Sequence, residues 1–432
     1  MLFKDITIID ENFEVREHMY VGTKDDRITC VSDKMPEEDF GEVYSGENRL
    51  LVPAFYNMHS HLPMYLMRGC AENLPLMTWL NDKIFPFEAQ LNEKDMYYGC
   101  LMGIAEMLRF GIAGTNEMYI RYHEPLGRAL TESGVKANFS VCCTCPDDSS
   151  FFEQQLYRDT LNAIEKYNGL DNGRIAVDFS LHAEYTNSEK ITRSLAQAAA
   201  ENKSSMHVHV SETRGEVEAC RANHQGRTPV RYLADCGIFD VPTVAAHCVH
   251  VDAEDIAILK EYNVSVASCP KSNAKLASGI CPVPELIKAG VNVAIGTDSV
   301  ASNNNLNMIE EMRFFNLLQK VSKCDPTVIT PAQTLYAATR AGAIAQHRYD
   351  CGFIKEGFKA DLTVIDADEI AFRPNHNLLN NLVYSASGSD VVLTMADGKV
   401  LYRDGEYTTL DVERIAYECE RSLERIRANF PI

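Results

Sequence analysis

The stretch LVPAFYNMHSH, residues 51–61, decides how the fold is read. It is an apolar run of strand length that ends in two histidines separated by one residue. Seven further short apolar runs, many of them β-branched, follow along the chain, as buried parallel strands do. The eight predicted strands are residues 51–58, 112–119, 136–144, 175–182, 205–210, 243–249, 264–269 and 291–297.

Helical patterns separate these strands. Residues 95–110 place apolar side chains near one face, and residues 252–262 begin with Asp252, a residue suited to an N-cap. Eight alternating units of this kind predict an α/β protein with a (β/α)8 TIM-like barrel.

Both ends of the chain have a different character from the middle. Short strand patterns with turn signals predict strands at residues 5–9, 18–21, 27–31, 361–365, 391–396 and 399–402. We expect a small β-sandwich domain formed from both chain ends, with the barrel inserted. The predicted boundaries are 1–52 and 353–432 for the small domain, with a helix at 412–429, and 53–352 for the barrel.

The composition excludes several classes of protein. The formal net charge of −20 argues against nucleic-acid binding and against docking on anionic membranes. We find no signal-peptide pattern and no apolar run of membrane-spanning length. The 14 cysteines are scattered in apolar runs, which favours reduced thiols and a cytoplasmic location. We interpret Cys142, Cys143 and Cys145 as core, with a structural zinc site as the alternative; a homo-oligomer is compatible with the sequence.

Histidines and acids cluster at the predicted strand ends. His59 and His61 are two residues apart, so on a strand both point to one face. The carboxyl ends of barrel strands meet at one mouth, where active sites of this fold are built. Single polar groups follow four other strands at this mouth: His182, His209, His247 and Asp298.

The ligand types predict a mononuclear metal site. His59, His61, His209 and Asp298 provide a nitrogen-rich set with one carboxylate, which suits one Zn2+ per chain, with Fe2+ as the alternative. This set leaves room for a water molecule. His207 lies deeper on its strand and is assigned to the core, and for His250 a place behind the site and a solvated position stay open.

The whole pattern resembles the amidohydrolase superfamily. The resemblance rests on the His-x-His after the first strand, single histidines after the fifth and sixth, and the aspartate after the eighth. Members with two metals carry a modified lysine after the fourth strand, whereas here that strand ends in Ser180-Leu181-His182-Ala183. The resemblance therefore implies the one-metal, deaminase-like branch.

Within that branch the sequence is similar to the methylthioadenosine/S-adenosylhomocysteine deaminases. The matching segments are residues 61–64, 68–69, 79–80, 86–88, 209–213, 246–249, 270–279 and 296–320. The resemblance implies that Asp298 takes a proton from water, that His247 stabilises developing negative charge, and that Glu212 protonates a ring nitrogen of an adenine nucleoside. For Glu212, an exposed acid opening a helix is the alternative interpretation.

The same resemblance places four residues around the substrate. Glu88 would accept hydrogen bonds from both ribose hydroxyls, His182 would bond the purine, and Ser302 would touch the substrate tail. Trp79 is interpreted as wall or core. The structural alternatives are a first-turn helix acid for Glu88 and a buried, hydrogen-bonded core histidine for His182.

One expected cation is missing. Some relatives carry an arginine after the third strand, where this chain has Cys142-Cys143-Thr144-Cys145. The nearest later arginine is Arg158, in a predicted helix. We therefore expect substrates with a neutral 5′-substituent, such as methylthioadenosine or 5′-deoxyadenosine, to equal or exceed S-adenosylhomocysteine in kcat/KM. This expectation fails if Arg158 or a neighbouring subunit supplies the cation.

Two other functions stay open at this point. One is another reaction of the same superfamily, such as deamination of guanine or another heterocycle, or dechlorination of a triazine. The other is a non-catalytic binding protein on the same fold. Glu88 distinguishes a nucleoside deaminase from the first of these alternatives, since without a ribose this carboxylate has no evident partner.

Overall fold

The computed structural model describes residues 1–429 and contains two parallel sheets and one mixed sheet. The parallel strands occur in chain order, as expected of a TIM-barrel-type α/β fold. The first sheet comprises Phe55–Ser60, Ile112–Tyr119, Lys136–Val141 and Ile175–Val177. The second comprises Phe179–Leu181, Met206–Val210, Thr243–His247, Ser265–Ser268 and Asn292–Ile295.

The two parallel sheets adjoin each other at both ends. Asp178 interrupts the predicted strand 175–182, so that its halves belong to different sheets. A parallel bridge joins Cys143 to Leu181 at this boundary. At the other boundary, the backbone N–H of Asp298 donates to the carbonyl of His59 over 2.8 Å. The first and last predicted barrel strands therefore meet beside the candidate metal ligands.

Strands from both chain ends form the mixed sheet. It contains nine strands: Leu2–Ile9, Val15–Lys24, Arg27–Ser32, Val43–Ser45, Arg49–Pro53, Leu362–Asp366, Val391–Ala396, Lys399–Arg403 and Glu406–Tyr407. The prediction of one continuous barrel strand at 51–58 was wrong, because this segment is divided between two sheets. Arg49–Pro53 pairs in the mixed sheet, and after Ala54 the chain enters the parallel sheet as Phe55–Ser60. Both halves are equally apolar, so the pattern could not reveal the change of partner.

Helices follow the parallel strands. The predicted helices 95–110, 252–262 and 412–429 are confirmed with small shifts, and Asn92 and Asp252 cap the first two. The α-helices are Leu76–Trp79, Phe85–Glu88, Glu93–Arg109, His123–Ser133, Gln155–Tyr167, Leu170–Gly173, Glu189–Glu201, Arg214–Asn223, Pro229–Asp235, Ala253–Glu261, Pro270–Lys275, Val283–Ala289, Val300–Asn303, Met308–Lys323, Pro331–Ala338, Arg340–Ala345, Leu378–Tyr384 and Val412–Asn429. Residues 430–432 of the predicted C-terminal segment lie outside the described residues. Over residues 1–429, no helix combines the length and apolar character needed to cross a membrane.

A buried ionic cluster joins the mixed sheet to the parallel strands. The Lys136 ammonium lies 2.7 Å from a carboxylate oxygen of Asp361 and also contacts Asp397. The Tyr56 hydroxyl donates to Asp361 over 2.8 Å. Lys136 and Asp361 are almost fully buried, so each charge depends on the other.

Candidate active site

Three imidazoles and one carboxylate meet at the mouth of the parallel strands. The Nε2 atoms of His61 and His209 are 3.4 Å apart. Asp298 Oδ1 lies 3.3 Å from His61 Nε2 and 3.7 Å from His59 Nε2. The three histidines also form a group whose ligand atoms all lie within 4.8 Å of one another. The structure thus brings together all four predicted ligands.

This arrangement fits a zinc ion. Two ligands bonded at zinc distances and at the tetrahedral angle are separated by about 3.4 Å, which is close to the spacings between these atoms. His59 Nε2 is buried and has no hydrogen-bond partner among the described residues. A buried nitrogen of this kind needs a partner, and a cation between the imidazoles would provide one. Burial, together with the neighbouring imidazoles, lowers the pKa of His59 and so favours the neutral form that binds metals.

The far nitrogens of the imidazoles are fixed. His61 Nδ1 is 2.5 Å from a backbone carbonyl oxygen, and His209 Nδ1 is 2.6 Å from another. His59 Nδ1 is 3.0 Å from Nε2 of His207. Such bonds set the tautomer and leave Nε2 for the metal. His207 is buried, as expected, but it contacts a predicted ligand directly, which its position deeper on the strand did not indicate.

Two serines hold the Asp298 carboxylate. Ser272 donates to Oδ2 over 2.6 Å and Ser302 donates to the same atom over 2.9 Å. Ser302 is 1% exposed. Its hydroxyl therefore orients Asp298 rather than facing the cavity, which corrects the expected contact with the substrate tail. The physical reason is that the short helix Val300–Asn303 turns this side chain back beneath Asp298.

His247 and Glu212 stand beside the ligand cluster. His247 Nδ1 lies 2.9 Å from the side-chain oxygen of Asn273, so its Nε2 faces the cavity and is 3.8 Å from Glu212 Oε2. Burial raises the pKa of Glu212, which favours a carboxyl group able to give a proton. Both groups line the same cavity as His209 and Asp298. The alternative of an exposed helix acid for Glu212 is wrong, because Glu212 is 7% exposed.

Sequence reasoning missed two buried glutamates that shape this mouth. Glu216 accepts the backbone N–H groups of Ser211 and Glu212, each over 2.7 Å. Glu117 accepts the N–H of Leu62, over 2.9 and 3.0 Å to its two oxygens, and the hydroxyl of Ser60 over 2.7 Å. For Glu117 the available signal was a charged residue inside the predicted buried strand 112–119, which is unusual without a partner.

The cavity wall is mainly apolar and contains three of the predicted substrate contacts. Glu88, His182 and Trp79 all line it. Glu88 is 4% exposed, and its burial raises the pKa of the carboxyl group to about 7. Trp79 donates its indole N–H to a backbone carbonyl over 3.3 Å, which agrees with a wall position. The apolar part of the lining comprises Met64, Leu76, Leu80, Ile84, Phe85, Ile120 and Leu276.

The cations near the cavity differ from those expected. Arg158 bonds the side chain of Gln155 over 3.2 Å on an exposed helix and is not among the cavity-lining residues. Arg121, which follows the second parallel strand, lies close enough to Glu88 to lower its pKa against the effect of burial. Cys142 lines the cavity, and Cys143 is also buried.

His250 is half-buried, and its Nε2 lies 2.7 Å from the carbonyl of Ser278. It is therefore neither fully solvated nor in contact with the predicted ligands.

Residues 50–401 match the model of the amidohydrolase family. The chain belongs to the amidohydrolase family. This amidohydrolase is 39% identical over 428 residues to the 5-methylthioadenosine/S-adenosylhomocysteine deaminase of Dictyoglomus thermophilum, covering 99% of each chain. It is 40% identical over 386 residues to the protein of the same name in Pelotomaculum thermopropionicum, covering 89% of this chain and 88% of the relative. The resemblance drawn from the motifs is confirmed.

A solved structure is similar over the whole amidohydrolase chain. It is an adenosine deaminase from Xanthomonas campestris with bound zinc, with a TM-score of 0.91, 30% sequence identity, and coverage of 99% of this chain and 98% of that one. The TIM-barrel type of fold expected from the strand pattern is thereby confirmed.

Proposed function

We propose that this amidohydrolase is a metal-dependent deaminase that converts adenine nucleosides to inosine analogues and ammonia. The observation that carries the proposal is the convergence of His61, His209 and Asp298 with Glu212 and His247 on one cavity, with the buried His59 beside Asp298. The names of the relatives support the same reaction. The substrate is a small molecule.

The proposed chemistry divides among a metal and three side chains. His59, His61, His209 and Asp298 would hold the zinc ion, which would supply an activated water by lowering its pKa towards ~7. Asp298 accepts a proton of that water, and its second oxygen is held by two serine hydroxyls. The carboxyl group of Glu212 protonates the purine ring nitrogen next to C6. The water oxygen would add at C6, and the proton held by Asp298 would pass to the amino nitrogen. As the C–N bond breaks and ammonia leaves, the proton of the new hydroxyl would return to Glu212, which leaves a carbonyl at C6 and both carboxyl groups in their starting states.

His247 is suited to stabilise negative charge on the oxygen at C6. Its Nδ1 is held by Asn273, so the orientation of Nε2 is fixed before substrate arrives. Preorganised polar groups of this kind are effective because they need no rearrangement during the reaction. Glu212 lies next to His247 in the cavity, so the proposed acid and the charge-stabilising group can act on neighbouring atoms of the base.

Glu88 supports a nucleoside rather than a free base. It is a buried carboxylate on an otherwise apolar wall, and ionised carboxylates accept hydrogen bonds only. Both ribose hydroxyls can donate to it. Because Arg158 is absent from the cavity lining, we propose that methylthioadenosine or 5′-deoxyadenosine is used at least as well as S-adenosylhomocysteine. Arg121 is the nearby cation that would favour the charged substrate instead.

The finer architecture and setting are also proposed. We propose a closed (β/α)8 barrel over 53–352 and a small β-sandwich domain from both chain ends, supported by the nine-stranded terminal sheet and the Asp298-to-His59 hydrogen bond. We propose one Zn2+, with Fe2+ as the alternative, in this cavity. A cytoplasmic location is supported by free thiols at all 14 cysteines. A homo-oligomer stays a prediction.

Ammonia release across adenine, guanine, adenosine, methylthioadenosine, 5′-deoxyadenosine, S-adenosylhomocysteine and a chlorotriazine tests the proposal. We expect activity on adenine nucleosides and much less on either free base. A preference for guanine or another free base, or for the triazine, would overturn the nucleoside assignment. No turnover of any compound by metal-loaded protein would favour the non-catalytic binding protein. The matched control is His209→Ala, which should lose bound metal and activity together.

A further inference from the structure

Three metal-binding side chains meet outside the cavity described above. The ligand atoms of Glu184, Cys220 and His224 all lie within 4.8 Å of one another. Cys220 lies on the helix Arg214–Asn223, and His224 follows its last residue. These two residues are four apart and therefore share one face of the helix. Glu184 opens the 3-10 turn Glu184–Thr186.

The positions of these groups are already close to those of zinc ligands. His224 Nε2 lies 3.6 Å from Glu184 Oε2, whereas two such ligands on a tetrahedral zinc ion are separated by about 3.4 Å. The His224 ring packs against Tyr232 with 3.9 Å between the ring centroids and an angle of 31° between the ring planes. This contact fixes the imidazole, so a cation would require little movement.

The Glu184 carboxylate is buried next to the Cys220 thiol, and one of its two oxygens has no partner among the described residues. It is 3% exposed, and the oxygen concerned is Oε1. Its pKa is raised to about 7 by burial and by the neighbouring carboxylate of Glu216. Burial likewise raises the pKa of the Cys220 thiol. A divalent cation would satisfy the orphaned oxygen and favour the ionised form of both groups.

We propose that Glu184, Cys220 and His224 bind a second zinc ion that has a structural role. A thiolate, an imidazole and a carboxylate together suit zinc rather than calcium or magnesium, which prefer oxygen ligands. A water molecule or the second oxygen of Glu184 completes four-coordination.

The proposed zinc site lies next to two segments that carry residues of the catalytic cavity. Glu184 follows the cavity residue His182 by two positions, and Cys220 lies on the helix that begins just after Glu212. A zinc ion here ties the turn after the fourth strand to the helix after the fifth. It thereby restrains the positions of His182 and Glu212, which both line the cavity.

Zinc content of full-length variants tests the proposal. Wild-type protein loaded with Zn2+ and desalted should contain about two zinc ions per chain, and His59→Ala/His209→Ala should retain about one. Cys220→Ala in that background should lose the remaining zinc. His224→Gln, at a partly exposed position, is the second variant and should behave in the same way. Cys236→Ala removes another buried thiol and should leave the zinc content unchanged.

Substitution with Co2+ gives a second readout that does not depend on activity. A thiolate bound to cobalt absorbs in the near ultraviolet, and this band should disappear in Cys220→Ala but persist in His59→Ala/His209→Ala. Natively folded His59→Ala/His209→Ala that contains no zinc would overturn the second site. Unchanged zinc and an unchanged cobalt band in Cys220→Ala and His224→Gln would also overturn it. Retention of both zinc ions after loss of His59 and His209 would instead overturn the proposed catalytic site.

Discussion

Replacement of Glu88 by glutamine separates recognition of the ribose from the chemistry at the base. The substitution keeps the shape of the side chain but removes its charge. Glu88 is 4% exposed on the cavity wall, so little water is available to replace a lost interaction. A hydrogen bond to a charged group contributes about 1.5–3 kcal/mol. We therefore expect kcat/KM for a nucleoside to fall about tenfold to a hundredfold, and that for free adenine to change little.

The ionisation of Glu88 adds a dependence on pH. Burial raises the pKa of this carboxyl group to about 7. Below that pH the protonated group would donate a hydrogen bond and could no longer accept two. The KM for a nucleoside should therefore fall as the pH rises through about 7, whereas the KM for adenine should not show this fall. In Glu88→Gln the fall in the nucleoside KM should be absent. The direction follows because only the deprotonated form binds both hydroxyls.

Ammonia release at several nucleoside and adenine concentrations, between about pH 6 and 8, measures both effects. Glu93→Gln is the matched control, because this exposed glutamate is close in sequence but does not line the cavity. Equal losses of kcat/KM on nucleoside and on adenine in Glu88→Gln would refute the ribose contact. A nucleoside kcat/KM equal to that of the wild type would refute it as well.

Three further substitutions test other parts of the molecule. Glu212→Gln should keep the cavity metal and lose turnover by about a hundredfold or more, the scale of general acid catalysis; near-normal kcat would remove Glu212 from the mechanism. His207→Phe should weaken metal binding about tenfold to a hundredfold in a chelator competition, because His59 loses the group that orients it; unchanged affinity would contradict this. Lys136→Met should lower the free energy of unfolding in urea by about 3–5 kcal/mol, because it leaves the Asp361 carboxylate buried without its cation. The exposed pair of Lys166 and Glu124 is the comparison, since Lys166→Met should change the free energy of unfolding little, and equal effects would show that burial does not matter.

The sequence predicted the fold well because its signals are local. Short apolar runs separated by helical patterns identified the parallel strands, and the positions of His59, His209 and Asp298 at strand ends identified the cluster. The change of sheet at Ala54 could not be predicted, since both neighbouring strands are buried and apolar. The choice between sheets depends on hydrogen bonds to distant segments, which hydrophobic periodicity does not report.

The groups that support the site were harder to predict than the groups that form it. Ser302 was expected at the substrate tail, but the capped turn of the helix Val300–Asn303 directs its hydroxyl to Asp298. Glu117 and Glu216 bind backbone N–H groups of the loops after the first and fifth barrel strands. Their partners are main-chain atoms, which carry no residue-specific signal, so only the rarity of a buried charge could have pointed to them.

The backbone itself shows how the mouth is held. Ser211, His247 and Asp298 have φ angles of 52°, 72° and 60°, in the left-handed region that costs residues other than glycine about 1–3 kcal/mol. Each follows or ends a parallel strand, and the left-handed turn directs the chain out of the sheet at the point where a functional group is needed. The neighbouring hydrogen bonds keep these turns in place: Asp298 N–H donates to the His59 carbonyl, and the Ser211 carbonyl accepts two N–H groups from the loop after His247. These bonds are made entirely within the chain, and they hold the turns that present Ser211, His247 and Asp298 at the mouth.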